Sequence, residues 1–68
     1  MGWREVLKVL HKKGFRVVHQ RGSHIYLTDV ERRYKVSIPR HASIKPGTLL
    51  SIIRQAGLTR EEFLKLLG

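Results

Sequence analysis

The sequence predicts an α+β fold, a three-stranded antiparallel sheet with helices packed on one of its faces, in the order α-β-β-β-α-α. Three observations carry that prediction. Trp3, Val6, Leu7 and Leu10 recur at helical spacing ahead of Gly14. Three short β-rich segments follow, joined by connections too short for parallel crossovers. The C-terminal third then opens on a proline and carries a helix-capping motif.

Each element has a local reason. The first helix spans roughly residues 3–13, with Lys12 and Lys13 at the negative end of its dipole and Gly14 suited to the left-handed C-cap. Phe15–Gln20 is a strand by composition, and Arg21-Gly22-Ser23 is a turn. His24–Thr28 is a second strand, and Asp29–Arg32 is a four-residue polar turn. The third strand, Arg33–Ile38, alternates cleanly. It places Tyr34, Val36 and Ile38 on one face and Arg33, Lys35 and Ser37 on the other, and Pro39 ends it. After a loop over 40–45, Pro46 starts a helix whose apolar stripe is Leu49, Leu50, Ile52, Ile53 and Ala56, closed by Gly57. Thr59 and Glu62 form a capping box, and Leu58 and Phe63 a hydrophobic staple, for a last helix burying Phe63, Leu66 and Leu67. The helices need an apolar surface, which one sheet face supplies; the other face stays open. This topology resembles the double-stranded-RNA-binding-domain type.

At 68 residues the chain is expected to be one domain, residues 1–68, with a modest core. So small a domain has little room for a deep cavity, which favours a shallow site and a large, extended substrate. Without cysteine there are no disulfides and no thiolate metal ligands. No apolar run reaches the 18 or so residues of a membrane span, and the charged start is unlike a signal peptide, so a cytoplasmic protein is expected. Lys and Arg number 14 against 5 Asp and Glu, a net charge of +9. That balance points to a polyanion, either nucleic acid or an acidic protein.

Chemistry centres on His24. If Ile25 and Leu27 enter the core, strand alternation turns His24, Tyr26 and Thr28 to the open face. Surrounding basic side chains would favour a neutral imidazole, the form a general base needs. Taken alone, though, a strand histidine is ordinarily a plain surface residue. Ser23, adjacent to His24 and pointing the other way, fits a turn-stabilising role better than a nucleophile. Histidines 11, 19, 24 and 41 and the few carboxylates show no metal-ligand spacing, so neither a metal nor any other cofactor is expected. Arg40 and His41 lead to Lys45, Pro46, Gly47 and Thr48, where cations meet a helix N-terminus able to hold a phosphate. His41 reads either as a second acid–base group or as a loop residue.

Lys13-Gly14-Phe15, Gln20-Arg21-Gly22-Ser23-His24, Ile38-Pro39-Arg40-His41, and Lys45-Pro46-Gly47-Thr48-Leu49 running into Ile52-Ile53-Arg54-Gln55-Ala56-Gly57 together resemble the HicA toxins of bacterial and archaeal toxin–antitoxin pairs, in order and spacing and over nearly the whole chain. The third strand and the Asp29–Arg32 turn match only loosely. The resemblance implies a double-stranded-RNA-binding-like fold, metal-independent ribonuclease activity on messenger RNA, a catalytic role for His24 and a cognate HicB antitoxin.

The chemistry of the residues is compatible with that implication. RNA carries its own nucleophile, the 2′-OH, whose proton His24 could take while Arg21, Arg40 or Lys45 offset phosphoryl charge and Tyr26 stacks on a base. Gly22, Ser23, His41 and Thr48 complete the expected RNA-binding set. A harmful ribonuclease needs an inhibitor, and an acidic surface laid over His24 would serve. The competing readings are a non-catalytic RNA-binding module using the same basic face and an interaction protein whose basic surface serves only an acidic partner.

Overall fold

A computed structural model describes residues 1–67. Its elements are α1 (Trp3–Lys13), β1 (Arg16–Arg21), β2 (His24–Thr28), β3 (Lys35–Pro39), α2 (Pro46–Gln55) and α3 (Arg60–Leu67). The order α-β-β-β-α-α and the antiparallel sheet, with strand order β1-β2-β3, are as the sequence predicts. No described helix is long and apolar enough to cross a membrane.

Two helices end in the same way. Gly14 N–H donates to His11 O and Phe15 N–H to Leu10 O; Gly57 N–H donates to Arg54 O and Leu58 N–H to Ile53 O. These are Schellman closures, and each delivers the following apolar residue, Phe15 or Leu58, into the core. The α3 capping box forms as expected, with Glu62 N–H donating to Thr59 Oγ1 at 3.1 Å and Thr59 N–H to Glu62 Oε1 at 2.9 Å.

The core lies between the helices and one sheet face. Ile25 and Leu27 of β2 and Val36 and Ile38 of β3 meet Val6, Val9 and Leu10 of α1, Ile52 and Ile53 of α2, and Phe63 of α3. The β1–β2 turn has Gly22 at φ 58° while Ser23 keeps a negative φ, the arrangement of a type II′ hairpin with glycine at its first central position. A side chain at Gly22 would force an L-residue into the left-handed region.

Several boundaries differ from the sequence expectation. Phe15 is not part of the first strand, because the α1 closure buries it beneath the sheet. Arg33 and Tyr34 are not part of the third. Arg32 adopts φ 57°, and Asp29 Oδ1 accepts the Tyr34 N–H at 3.0 Å, so the loop runs on to Tyr34. Tyr34 therefore stays exposed and its ring lies against Gly57 rather than facing the core. Pro39 is the last residue of β3, opposite His24. Leu50 is exposed, and Val9, outside the expected α1 stripe, is buried. Leu66 and Leu67 are only half-buried.

Thr59→Ala removes one half of the α3 cap and should cost about 1 kcal/mol in chemical denaturation. The Thr59 backbone N–H, then its hydroxyl, hold the Glu62 carboxyl below its ordinary value of 4.5. A lowered folded-state value means that the contribution of this carboxylate is complete above that ordinary value. It is lost as pH falls through the lowered one. Glu62→Gln should flatten the acid limb of a stability-versus-pH curve in that window. Gly2 packs with its α-carbon against the loop ahead of α2, where an added Cβ would lie 2.8 Å from the Ala42 carbonyl oxygen. Gly2→Ala should therefore cost more than the roughly 0.5 kcal/mol of ordinary surface changes, read by thermal unfolding.

Candidate active site

The register of the sheet builds the open face row by row. Arg21, His24 and Pro39 stand opposite one another across β1, β2 and β3; the next row is His19, Tyr26 and Ser37, and the third Arg16, Thr28 and Lys35. Ile25 and Leu27 point into the core, so His24 and Tyr26 point outward, and both are exposed. Thr28 shares that face but is covered by the 29–34 loop, where its hydroxyl donates to Tyr34 O at 3.0 Å.

A β-bulge between Val17 and His19 breaks the alternation of β1. Past it, His19 joins the row of Tyr26 and Val18 is left exposed. Three rings then line up. His24 and Tyr26 lie 6.4 Å apart at 29°, and Tyr26 and His19 5.8 Å apart at 34°. His19 had no signal in the sequence, because nothing there marks a bulge; neither glycine nor proline occurs within β1.

Beside His24 lies a cavity of about 430 Å³. Its lining includes His24, His41, Lys45 and Thr48, together with Ser37 and Gln55. Four of the residues expected from sequence are thus brought together. Lys45 is the N-cap of α2, with Pro46 at its first turn and no acidic residue there, so the free N–H groups and positive dipole end border the same cavity. Gln55 comes from the far end of α2. Its Oε1 accepts the Ser37 N–H at 2.9 Å on the outer edge of β3, and its Nε2 donates to Ser51 Oγ at 3.3 Å. Eighteen residues separate Gln55 from Ser37, so only the tertiary fold reveals the contact.

The loop that carries His41 is held from two sides. Arg40 N–H donates to Ser23 O at 2.7 Å, tying it to the hairpin turn. Trp3 N–H donates to His41 O at 3.1 Å, and Ile44 N–H to Met1 O at 2.8 Å. Arg21 is on the His24 row. Gly22 and Ser23 shape the turn, and Ser23 contributes its carbonyl to the Arg40 tie. The Arg40 guanidinium lies over the Trp3 ring at 5.3 Å, with Arg4 at 5.2 Å from the same ring, rather than lining the cavity.

The charge is distributed asymmetrically. The acidic residues are Glu5, Asp29, Glu31, Glu61 and Glu62. Glu5 accepts the Gly2 N–H at 3.2 Å, and Asp29 and Glu62 are occupied as described. Glu31 pairs with Arg33 at 3.0 Å in the loop, and Glu61 lies in the first turn of α3. None stands in the His24 rows, where Arg16, Arg21 and Lys35 supply positive charge. Among the described residues, no three His, Asp or Glu side chains gather as a metal-binding group would.

An exposed imidazole, a cavity lined by Lys45 and a helix N-terminus beside a carboxylate-free sheet face suit an anionic, extended ligand. No curated protein gives a significant match to the chain. The family described as HicA toxin of bacterial toxin–antitoxin matches residues 3–58, which takes in every residue of the site just described. The chain belongs to the HicA toxin family.

Proposed function

We propose that this toxin is an endoribonuclease that cuts single-stranded or messenger RNA, with His24 as general base. The observation that carries the reading is the exposed His24 ring at the lip of the cavity bounded by the α2 N-terminus. A phosphate seated there meets Lys45, the free N–H groups of the helix and the Thr48 side chain. The 2′-OH of the preceding ribose then faces His24. The imidazole takes that proton, the oxygen attacks phosphorus, and the P–O bond to the 5′ oxygen breaks. The products are a 2′,3′-cyclic phosphate and a 5′-OH end.

His41 lines the same cavity and serves as the acid that protonates the leaving 5′ oxygen. Lys45, with Arg21 across the row, offsets charge growing on the phosphoryl oxygens. Tyr26, between two imidazoles, offers its ring to a base. The ribose supplies the nucleophile, so DNA is not a substrate. The antitoxin partner is a HicB-type protein, and it inhibits by laying an acidic surface over His24 and its neighbouring cations.

Purified protein mixed with single-stranded RNA in excess EDTA should yield cyclic-phosphate ends and leave DNA of the same sequence intact. His24→Ala, folded by circular dichroism, should cleave at least about 100-fold more slowly. His41→Ala should slow cleavage and remove one limb of the pH–rate profile. Intact RNA with a salt-sensitive mobility shift would instead establish a non-catalytic RNA-binding module on the same face. Absence of RNA affinity at low salt would leave only the acidic-protein partner.

A further inference from the structure

A second hollow, a trough of about 600 Å³, crosses the open face of the sheet. Val18, Tyr26, Ser37 and Gln55 are among its walls, and Arg32 and Lys35 border it. Ser37 and Gln55 also line the cavity beside His24, so the two hollows adjoin. The trough is within the size range, about 300–1,000 Å³, of sites that hold small organic groups.

Its chemistry is unusual for this surface. The bulge in β1 turns Val18 outward, 58% exposed, where it contributes nothing to the core. Tyr26 presents a flat ring beside it. An apolar wall and an aromatic plane, set among cations and continuous with the cavity beside His24, match a group that is flat, apolar on its faces and attached to a phosphodiester. We infer that the trough holds one unpaired nucleobase of the RNA strand whose phosphate occupies the adjoining cavity, its apolar face lying on Tyr26 and Val18. This rests on the proposed RNA substrate and adds to it. A base held in a duplex is stacked and paired and cannot enter the trough, so the site selects a strand with a base free to turn outward.

The test compares two short single-stranded oligoribonucleotides, oligouridine and the same sugar–phosphate chain with abasic nucleotides. Binding is followed by fluorescence anisotropy at fixed salt, using His24→Ala protein so that no cleavage intervenes. Both probes carry the same phosphates, so their affinity ratio isolates the base. Oligouridine should bind about tenfold tighter than the abasic chain. Adding Tyr26→Ala, or separately Val18→Gln, should bring the ratio close to one while leaving abasic affinity nearly unchanged. A ratio near one in the His24→Ala parent, or a ratio that survives Val18→Gln, overturns the trough as a base site. Cleavage by the wild-type protein is scored independently. Loss of the ratio with cleavage intact removes this inference alone, and a preserved ratio without cleavage removes the nuclease reading alone.

Discussion

The hydrogen bond from the Arg40 N–H to the Ser23 carbonyl, 2.7 Å long, is the contact on which the arrangement of the site depends. It joins the hairpin that presents His24 to the segment leaving β3, so that His41 and the start of α2 come to the same side as the imidazole. The pairing of His24 with Pro39 extends the tie into the sheet register. From the other side, Met1 and Trp3 hold the 41–44 segment through backbone bonds. A loop that is otherwise polar or small, anchored in the core by Ile44 alone, is thereby fixed at both edges. Preorganisation of this kind is what a shallow site needs, because it has no enclosing walls to orient a ligand.

The chain has only five Asp and Glu residues, and most of their carboxylates have local structural roles. The carboxylates of Glu5, Asp29 and Glu62 accept backbone N–H groups at helix starts or in a turn, away from the His24 rows. A carboxylate serves well there, since it satisfies an orphan donor and, at a helix N-terminus, complements the dipole. The result is an open sheet face with cations and no acidic residue in its three rows. The excess of positive charge is therefore local to the surface that bears the histidine as well as a property of the composition.

Much of this was legible in the sequence, for reasons tied to local rules. The capping box at Thr59 and Glu62, the proline at the start of α2 and the turn at Gly22 are short-range signals, and each forms where its residues stand. Alternation in β2 correctly turned His24 outward, because a five-residue strand with two large aliphatics has one sensible orientation. His41, Lys45 and Thr48 read together as one loop and helix start, and the fold then sets them beside His24. Legibility failed where the decisive contact is distant or the backbone departs from regularity. The β1 bulge that brings His19 and Val18 to the open face has no residue to announce it. Gln55 reads as an ordinary polar position on a helix until the fold lays α2 along the edge of β3. Tyr34 looked like an inward strand residue because its neighbours alternate, yet the Asp29 side chain captures its N–H and lengthens the loop. Arg40, expected at a phosphate, has its guanidinium over an aromatic ring.

That ring has a practical consequence. Trp3 is the chain's single tryptophan, and its indole lies against a guanidinium borne by the residue before His41, while the Trp3 backbone N–H donates to the His41 carbonyl. Its ultraviolet emission is therefore a built-in optical gauge of the segment beside the imidazole. Any molecule that draws Arg40 away from the indole changes the colour and yield of that light, with no dye or label attached.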